Sequence, residues 1–168
     1  MKILLILSTL LWALVASEPT LKPFESSKIY SMSYDKNTTG LVRHLPVYKN
    51  PKWVAKIKSR KGKEIFFSSP KSMFEFYFYP GKWYDVGIKS ERDFSEIVVT
   101  DYATAKAIDA EKAFYVYGSS VVSPAGDDLV AFVDKASADK FAKSHSGKRV
   151  MSFDSVSDAL IRLLNGNL

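Results

Sequence analysis

This chain repeats itself by role rather than by identity, and the repeat limits the folds open to it. In the first half, Trp53-Val54-Ala55-Lys56-Ile57 reads as a strand, Arg60-Lys61-Gly62-Lys63 as a tight turn, and Glu64-Ile65-Phe66-Phe67 as the returning strand. Ser69-Pro70 then opens a helix, with Ser as the capping acceptor and Pro at the first helical position, where its missing N–H is no loss. Met73, Phe74, Tyr77 and Phe78 give that helix a buried stripe, Pro80-Gly81 ends it, and Glu96-Ile97-Val98-Val99-Thr100 is a further strand. The second half runs in the same order. Residues 113–117 form a strand, 118–128 a longer loop and 129–133 the return. Asp134 caps a helix with Ala138, Phe141 and Ala142 on one face, Gly147 stops it, and 149–153 is the last strand. An offset of 65 lays Ile65 on Val130, Phe67 on Phe132, Ser69 on Asp134 and Phe76 on Phe141. A final helix from Asp154 to about Asn165 carries Val156, Ala159, Leu160, Leu163 and Leu164 on one face, with Gly166 just beyond it.

The expected fold class is therefore α+β. Two tandem ββαβ units, spanning 44–102 and 103–168, place small antiparallel sheets under helices, and a C-terminal helix closes the chain. Residues 18–43 are expected to be a flexible lead-in. Before them, Met1-Lys2, the apolar run Ile3 to Val15 and the small residues Ala16-Ser17 have the layout of a secretory signal peptide over 1–17. The apolar run is about thirteen residues, short of the roughly twenty that span a bilayer, so cleavage after Ser17 is expected rather than anchoring. Export sets aside nucleic acid as a partner despite a net charge of +6. The chain has no cysteine. That excludes a disulfide framework, a thiolate nucleophile and a thiolate metal site.

Several stretches resemble the NosL family: Pro51-Lys52-Trp53-Val54-Ala55-Lys56-Ile57, the helix Lys71-Ser72-Met73-Phe74-Glu75-Phe76-Tyr77-Phe78, Val98-Val99-Thr100-Asp101-Tyr102, Ile108-Asp109-Ala110, Ala113-Phe114-Tyr115-Val116-Tyr117-Gly118-Ser119, and 123–132. The resemblance covers about 45–153 and implies a fold of two ββαβ units. It also implies an envelope accessory protein that assists copper delivery to, or assembly of, nitrous oxide reductase or another envelope metalloenzyme. The expected setting is the periplasm of a Gram-negative bacterium and the expected partner a metalloenzyme or copper transporter component. A copper-free binding or assembly module on the same fold is the alternative. Family members are taken to hold Cu(I) through a Cys-Gly-Met element just ahead of the Pro-Lys-Trp run and a methionine in a Pro-Met-Gly loop. Here His44-Leu45-Pro46-Val47 runs straight into Tyr48-Lys49-Asn50, and Ala125 stands where the loop methionine would be. The soft sulfur ligands that Cu(I) prefers are missing at both places.

The remaining candidates are residues that would have to stand in or serve a partner. For a metal these are His44, beside the missing element, and Met73 on the first helix, with Met32 further upstream. Lys56, Lys58, Arg60, Lys61 and Lys63 crowd one hairpin, either protecting a strand edge or docking an acidic partner or anionic headgroups. Trp83-Tyr84 is a candidate exposed aromatic pair, His145 suits the carbonyls at a helix end, and Asp127-Asp128 suits a turn. Asn37 lies in Asp35-Lys36-Asn37-Thr38-Thr39, which fits a glycosylation acceptor of the Asn-x-Ser/Thr type. No metalloprotease helix, nucleophile elbow or phosphate-binding loop occurs, so no catalytic residue is assigned and no enzyme is expected.

Overall fold

The structure is a computed structural model and describes residues 29–166; the signal peptide expected over 1–17 lies outside the described residues. Two antiparallel sheets account for the strands. The first has the order β2-β1-β3-β4, with β1 Ala55–Ser59, β2 Glu64–Phe67, β3 Phe94–Thr100 and β4 Ala107–Asp109. The second has the order β6-β5-β7, with β5 Phe114–Tyr117, β6 Leu129–Phe132 and β7 Arg149–Ser152. In each sheet the first strand lies in the middle: Ala55 faces Phe67 and Val99, as Phe114 faces Phe132 and Ser152. The helices α1 (Pro70–Phe78) and α2 (Lys135–Ser144) follow the return strands, and α3 (Asp158–Leu164) ends the fold. Both caps expected from the repeat are formed, with Ser69 Oγ accepting the Ser72 N–H at 3.3 Å and Asp134 Oδ1 the Ser137 N–H at 2.8 Å.

Helix α1 does not merely cover the first sheet. One hydrophobic cluster joins Ala55, Ile57, Ile65 and Phe67 of the first sheet, Met73, Phe74 and Phe76 of α1, and Tyr115, Leu129 and Met151 of the second. A helix apolar on nearly every side belongs inside a fold, and α1 is lodged between the two sheets. Phe74 meets Tyr115 edge-on at 5.2 Å and Phe153 at 4.9 Å, while Phe67 packs on Phe76 at 5.4 Å. Helix α2 covers the other face of the second sheet, where Val116, Val130 and Phe132 pack with Ala138 and Phe141. Strand alternation divides the second sheet between the two clusters, Leu129 and Ala131 facing one and Val130 and Phe132 the other.

Four expectations are corrected. Strand β4, too short to show a period, joins the first sheet from residues assigned by sequence to the second unit. The described part of the 18–43 lead-in is tied down: Leu41 N–H donates to Phe66 O at 2.8 Å, Val47 N–H to Thr38 O at 3.1 Å, and the Tyr30 hydroxyl to Asp109 Oδ2 at 2.6 Å. Gly40 is required there, because a Cβ would lie 2.7 Å from the Ser68 nitrogen. Helix α3 starts at Asp158 rather than Asp154, because the Ser157 side chain accepts the Leu160 N–H and caps it. That later start turns Ile161 inward and leaves Leu163 exposed. Finally, β1 is an interior strand, so its lysines protect no edge. Lys56 is buried, with Nζ 3.0 Å from Glu64 Oε1 and 3.8 Å from Glu96 Oε1.

Phe67 and Phe132 are both buried at the ends of equivalent return strands. Phe67→Ala and Phe132→Ala should each lower stability by about 3 kcal/mol through cavity formation. Leu163→Ala should change it by less than about 0.5 kcal/mol. Urea unfolding curves of the three variants against wild type provide the check.

Candidate functional site

The first turn of α1 enters the fold beneath the loop between β5 and β6, and its second residue is a lysine. Lys71 has 2% of its surface exposed. Its backbone N–H donates to Asp128 Oδ1 at 2.7 Å, and its Nζ donates to Ala125 O at 2.8 Å and Leu164 O at 3.2 Å. Asp128, also buried, accepts the Leu129 N–H at 2.8 Å and the Ser123 hydroxyl at 2.7 Å. A carboxylate at the first turn of a helix meets the exposed N–H groups there, which is a favourable place for negative charge. The loop itself closes through reciprocal Ser123 and Gly126 backbone bonds, with Gly126 at φ 89° and Ala125 N–H donating to Ser123 Oγ at 2.9 Å.

One helical turn along α1, Glu75 Oε2 accepts from Arg43 Nη2 at 2.9 Å and from Asn165 Nδ2 at 2.8 Å. Asn165 Oδ1 in turn accepts from Arg43 Nη2 at 2.6 Å. Four segments thus meet in one polar junction: the lead-in through Arg43, α1 through Lys71 and Glu75, the loop through Ala125 and Asp128, and the end of α3 through Leu164 and Asn165. Beside it opens a cleft of about 370 Å³ lined by Tyr117, Ser119, Asp127, Asp128, Lys148 and Leu164. Burial pushes the Lys71 ammonium below the ordinary lysine value, against the opposing pull of Asp128. Burial pushes the Asp128 carboxyl up, against the hydrogen bonds it receives from Ser69, Ser123 and two backbone N–H groups.

In chemical terms the junction is a tethered cation held by two carbonyl oxygens and steadied by carboxylates. It contains no sulfur and no imidazole. Ala125 O, in the loop where the resembled family places a copper-binding methionine, is already bonded to the ammonium, and a soft monocation does not fit beside it. Among the described residues no three His, Cys, Asp or Glu side chains are grouped to hold a metal ion.

The structure does not bring the sequence candidates for a metal together. Met73 is fully buried in the core between the sheets, whereas His44 is exposed at φ 53° on the lead-in, and Met32 lines a groove beside β4. The hairpin cations are likewise not one free patch. Lys56 is buried and paired, Arg60 Nε donates to Arg92 O at 2.7 Å, and Lys63 Nζ donates to Val86 O at 3.1 Å; Lys58 is half-buried and Lys61 exposed. Trp83 packs on Phe76 at 5.4 Å, while Tyr84 is exposed. His145 sits at the end of α2 with Nδ1 3.2 Å from Phe141 O. Asp128 organises its turn, and Asp127 is exposed. Sequence reasoning missed Arg43, Lys71, Glu75 and Asn165. The available signal was Lys71 itself, a charge placed directly after Ser69-Pro70 on a helix otherwise apolar almost all round, with Glu75 four residues on.

The profile of the NosL family matches residues 31–161. The crystal structure of the copper chaperone NosL from Shewanella denitrificans superposes with a TM-score of 0.67 at 20% identity, covering 79% of this chain and 98% of that one. The solution structure of the apo-NosL protein from Achromobacter cycloclastes gives a TM-score of 0.45 at 25% identity, covering 64% of this chain and 87% of that one. No curated protein matches.

Removing the lysine tests the junction. Because its folded value lies below the ordinary 10.5, the folded protein sheds this proton while the unfolded chain still holds it. Stability contributed by Lys71 therefore rises with pH between the folded value and 10.5, and the neutral amine still has N–H groups for both carbonyls. Wild type minus Lys71→Met should show that rise in unfolding free energy across the alkaline range. Asp128→Ala, which strands the Lys71 and Leu129 N–H groups, should cost about 2–4 kcal/mol at neutral pH.

Proposed function

This chain belongs to the NosL family, and from that premise we propose that it is an exported accessory protein of copper handling that serves a partner without carrying Cu(I) on a sulfur site of its own. Its place on this reading is the periplasm, where it assists the assembly of nitrous oxide reductase or another envelope copper enzyme. Family membership supports the copper-handling role. The observation that supports a role without a copper site is the Lys71 ammonium on Ala125 O, a positive charge in the loop that would have to receive a copper ion. A cation brought there meets like charge and no soft donor. The metal is then held by the partner, and this chain contributes binding surface. The reading assigns it no catalytic step.

Copper competition tests this directly. Mature protein loaded with Cu(I) and challenged with a strong Cu(I) chelator should give up its copper completely. Stoichiometric retention would overturn the reading, and His44→Ala would then locate the metal. In the native host, deletion of the gene should lower the copper content of the assembled enzyme, and the His44→Ala protein should restore it.

The same exported setting supports modification at Asn37. Asn37 is exposed in a turn where its backbone N–H donates to Asp35 Oδ1 at 2.9 Å and Thr38 Oγ1 donates to the same oxygen at 2.8 Å, leaving the Asn37 side chain outward. Intact-mass measurement of protein from its native envelope should show a glycan-sized increment that Asn37→Gln abolishes. Equal, unmodified masses would end that assignment.

A further inference from the structure

On the second sheet's outer side, α2 and the residues around it form a groove of different character. Its floor is aromatic: Tyr102 meets Phe141 edge-on at 5.5 Å and Phe132 at 6.3 Å, and Phe132 lies 4.9 Å from Phe141. Its rim is cationic. Lys52 Nζ lies 5.0 Å above the Tyr102 ring, Lys140 borders the groove from α2, and the His145 ring stacks on Phe141 at 4.1 Å and 14°. The His145 Nδ1 is engaged by Phe141 O at 3.2 Å and Ser144 Oγ at 2.8 Å, which leaves Nε2 as the ring's remaining polar atom. Among the described residues no acidic side chain lines the groove, and Asp134, which bonds the lining Ser137, is taken up in capping α2. The neighbouring cleft on the other side of α2 adds Lys143, Lys148 and Arg149, and its one carboxylate, Asp139, is paired with Lys135 at 2.7 Å.

We propose that this groove is a docking surface for an acidic segment of a partner protein, anchored by one aromatic or leucine side chain. The cavity of about 370 Å³ suits a single large side chain rather than a whole helix or a flat surface. The half-buried Tyr102 and His145 rings, lying over buried Phe132 and Phe141, give an aromatic or branched apolar anchor its contact surface. Lys52 and Lys140 are exposed ammonium groups, and among the described residues neither is paired with a carboxylate, so acids flanking the anchor meet complementary charge, which steers encounter and fixes register. A headgroup layer offers charge but nothing to enter a concave aromatic floor. The assignment rests on the accessory reading only for the existence of a partner and needs no copper.

The probe is a fluorescein-labelled acidic heptapeptide with a central Phe, followed by fluorescence anisotropy at low ionic strength on the full mature chain without copper. Wild type should bind it saturably, and Lys52→Glu with Lys140→Glu should weaken binding by about tenfold or more. Lys36→Glu with Lys61→Glu makes the same charge change on the lead-in turn and the β1–β2 hairpin and should leave affinity within about twofold. A peptide with Ala for the central Phe should bind at least about fivefold more weakly. All four side chains changed in the protein are exposed, so the variants should melt with wild type, and circular dichroism checks that. Absence of saturable binding, equal weakening by both charge-reversed pairs, or tighter binding to phosphatidylglycerol vesicles or a single-stranded oligonucleotide than to the peptide overturns the assignment. Failure here leaves the copper-competition result standing, and the reverse also holds.

Discussion

A helix surrounded by apolar side chains has nowhere to solvate a lysine tail unless the surrounding backbone supplies acceptors, and the fold is arranged so that it does. Met73, Phe74 and Phe76 hold α1 between the two sheets. With its sides committed, the first turn of the helix has to be completed by other segments. Asp128 takes the Lys71 N–H, and the Lys71 ammonium takes one carbonyl from the loop and one from the end of α3. Taking away either partner would leave the other as an uncompensated buried polar group, which is costlier than the bond is valuable. The loop after β5 and the C-terminal helix therefore owe their positions to α1. The Arg43–Glu75–Asn165 contacts extend the same dependence to the lead-in.

The first sheet solves a similar problem differently. Strand alternation sends Ala55 and Ile57 into the core and Lys56 to the opposite face, where it is nonetheless buried. The flanking strands provide Glu64 on one side and Glu96 on the other, each directly opposite Lys58 and diagonal to Lys56. Opposite charges on adjacent strands stabilise pairing and also fix register, since a shift by one residue would put Lys56 into the apolar core. A lysine that reads in sequence as part of a surface patch is thus part of the sheet's internal wiring. Lys61 stays exposed on the hairpin, and Lys140 and Lys143 are exposed on α2.

Elements were legible in the sequence wherever a local rule suffices. Ser69-Pro70 and Asp134 announce helix starts through side-chain acceptors that need no tertiary context, and Phe67 and Phe132 follow from their equivalent places in the repeat. The layering was not legible, because the apolar pattern of α1 says that the helix is buried and not that two sheets bury it. The start of α3 was misread because Asp154 and Ser157 are both sound capping residues, and only the packing of Ile161 decides between them. The polar junction was least accessible. Arg43, Glu75 and Asn165 are separated by up to 122 positions, and none carries a local signature. Lys56 and Lys71 look alike as letters in a basic chain, and burial alone distinguishes them from Lys58 or Lys61.

A tethered cation differs from a bound one in a way that bears on function. A metal ion held between a loop and a helix stabilises that arrangement only when it is present, so the geometry of the loop can report occupancy. An ammonium that belongs to the chain is always present, at unit local stoichiometry, whatever the copper supply. With Lys71 on Ala125 O, the loop, α1 and the end of α3 keep one arrangement. A ligand shifts an equilibrium only by its differential affinity for two conformations, and the contacts of Lys71 favour the closed junction without any ligand. On the proposed accessory reading, an arrangement held by a residue of the chain itself gives a partner the same loop with or without copper present. On that reading, any signal that ends the contact has to arise in the partner, because Lys71 fixes this junction without reference to copper.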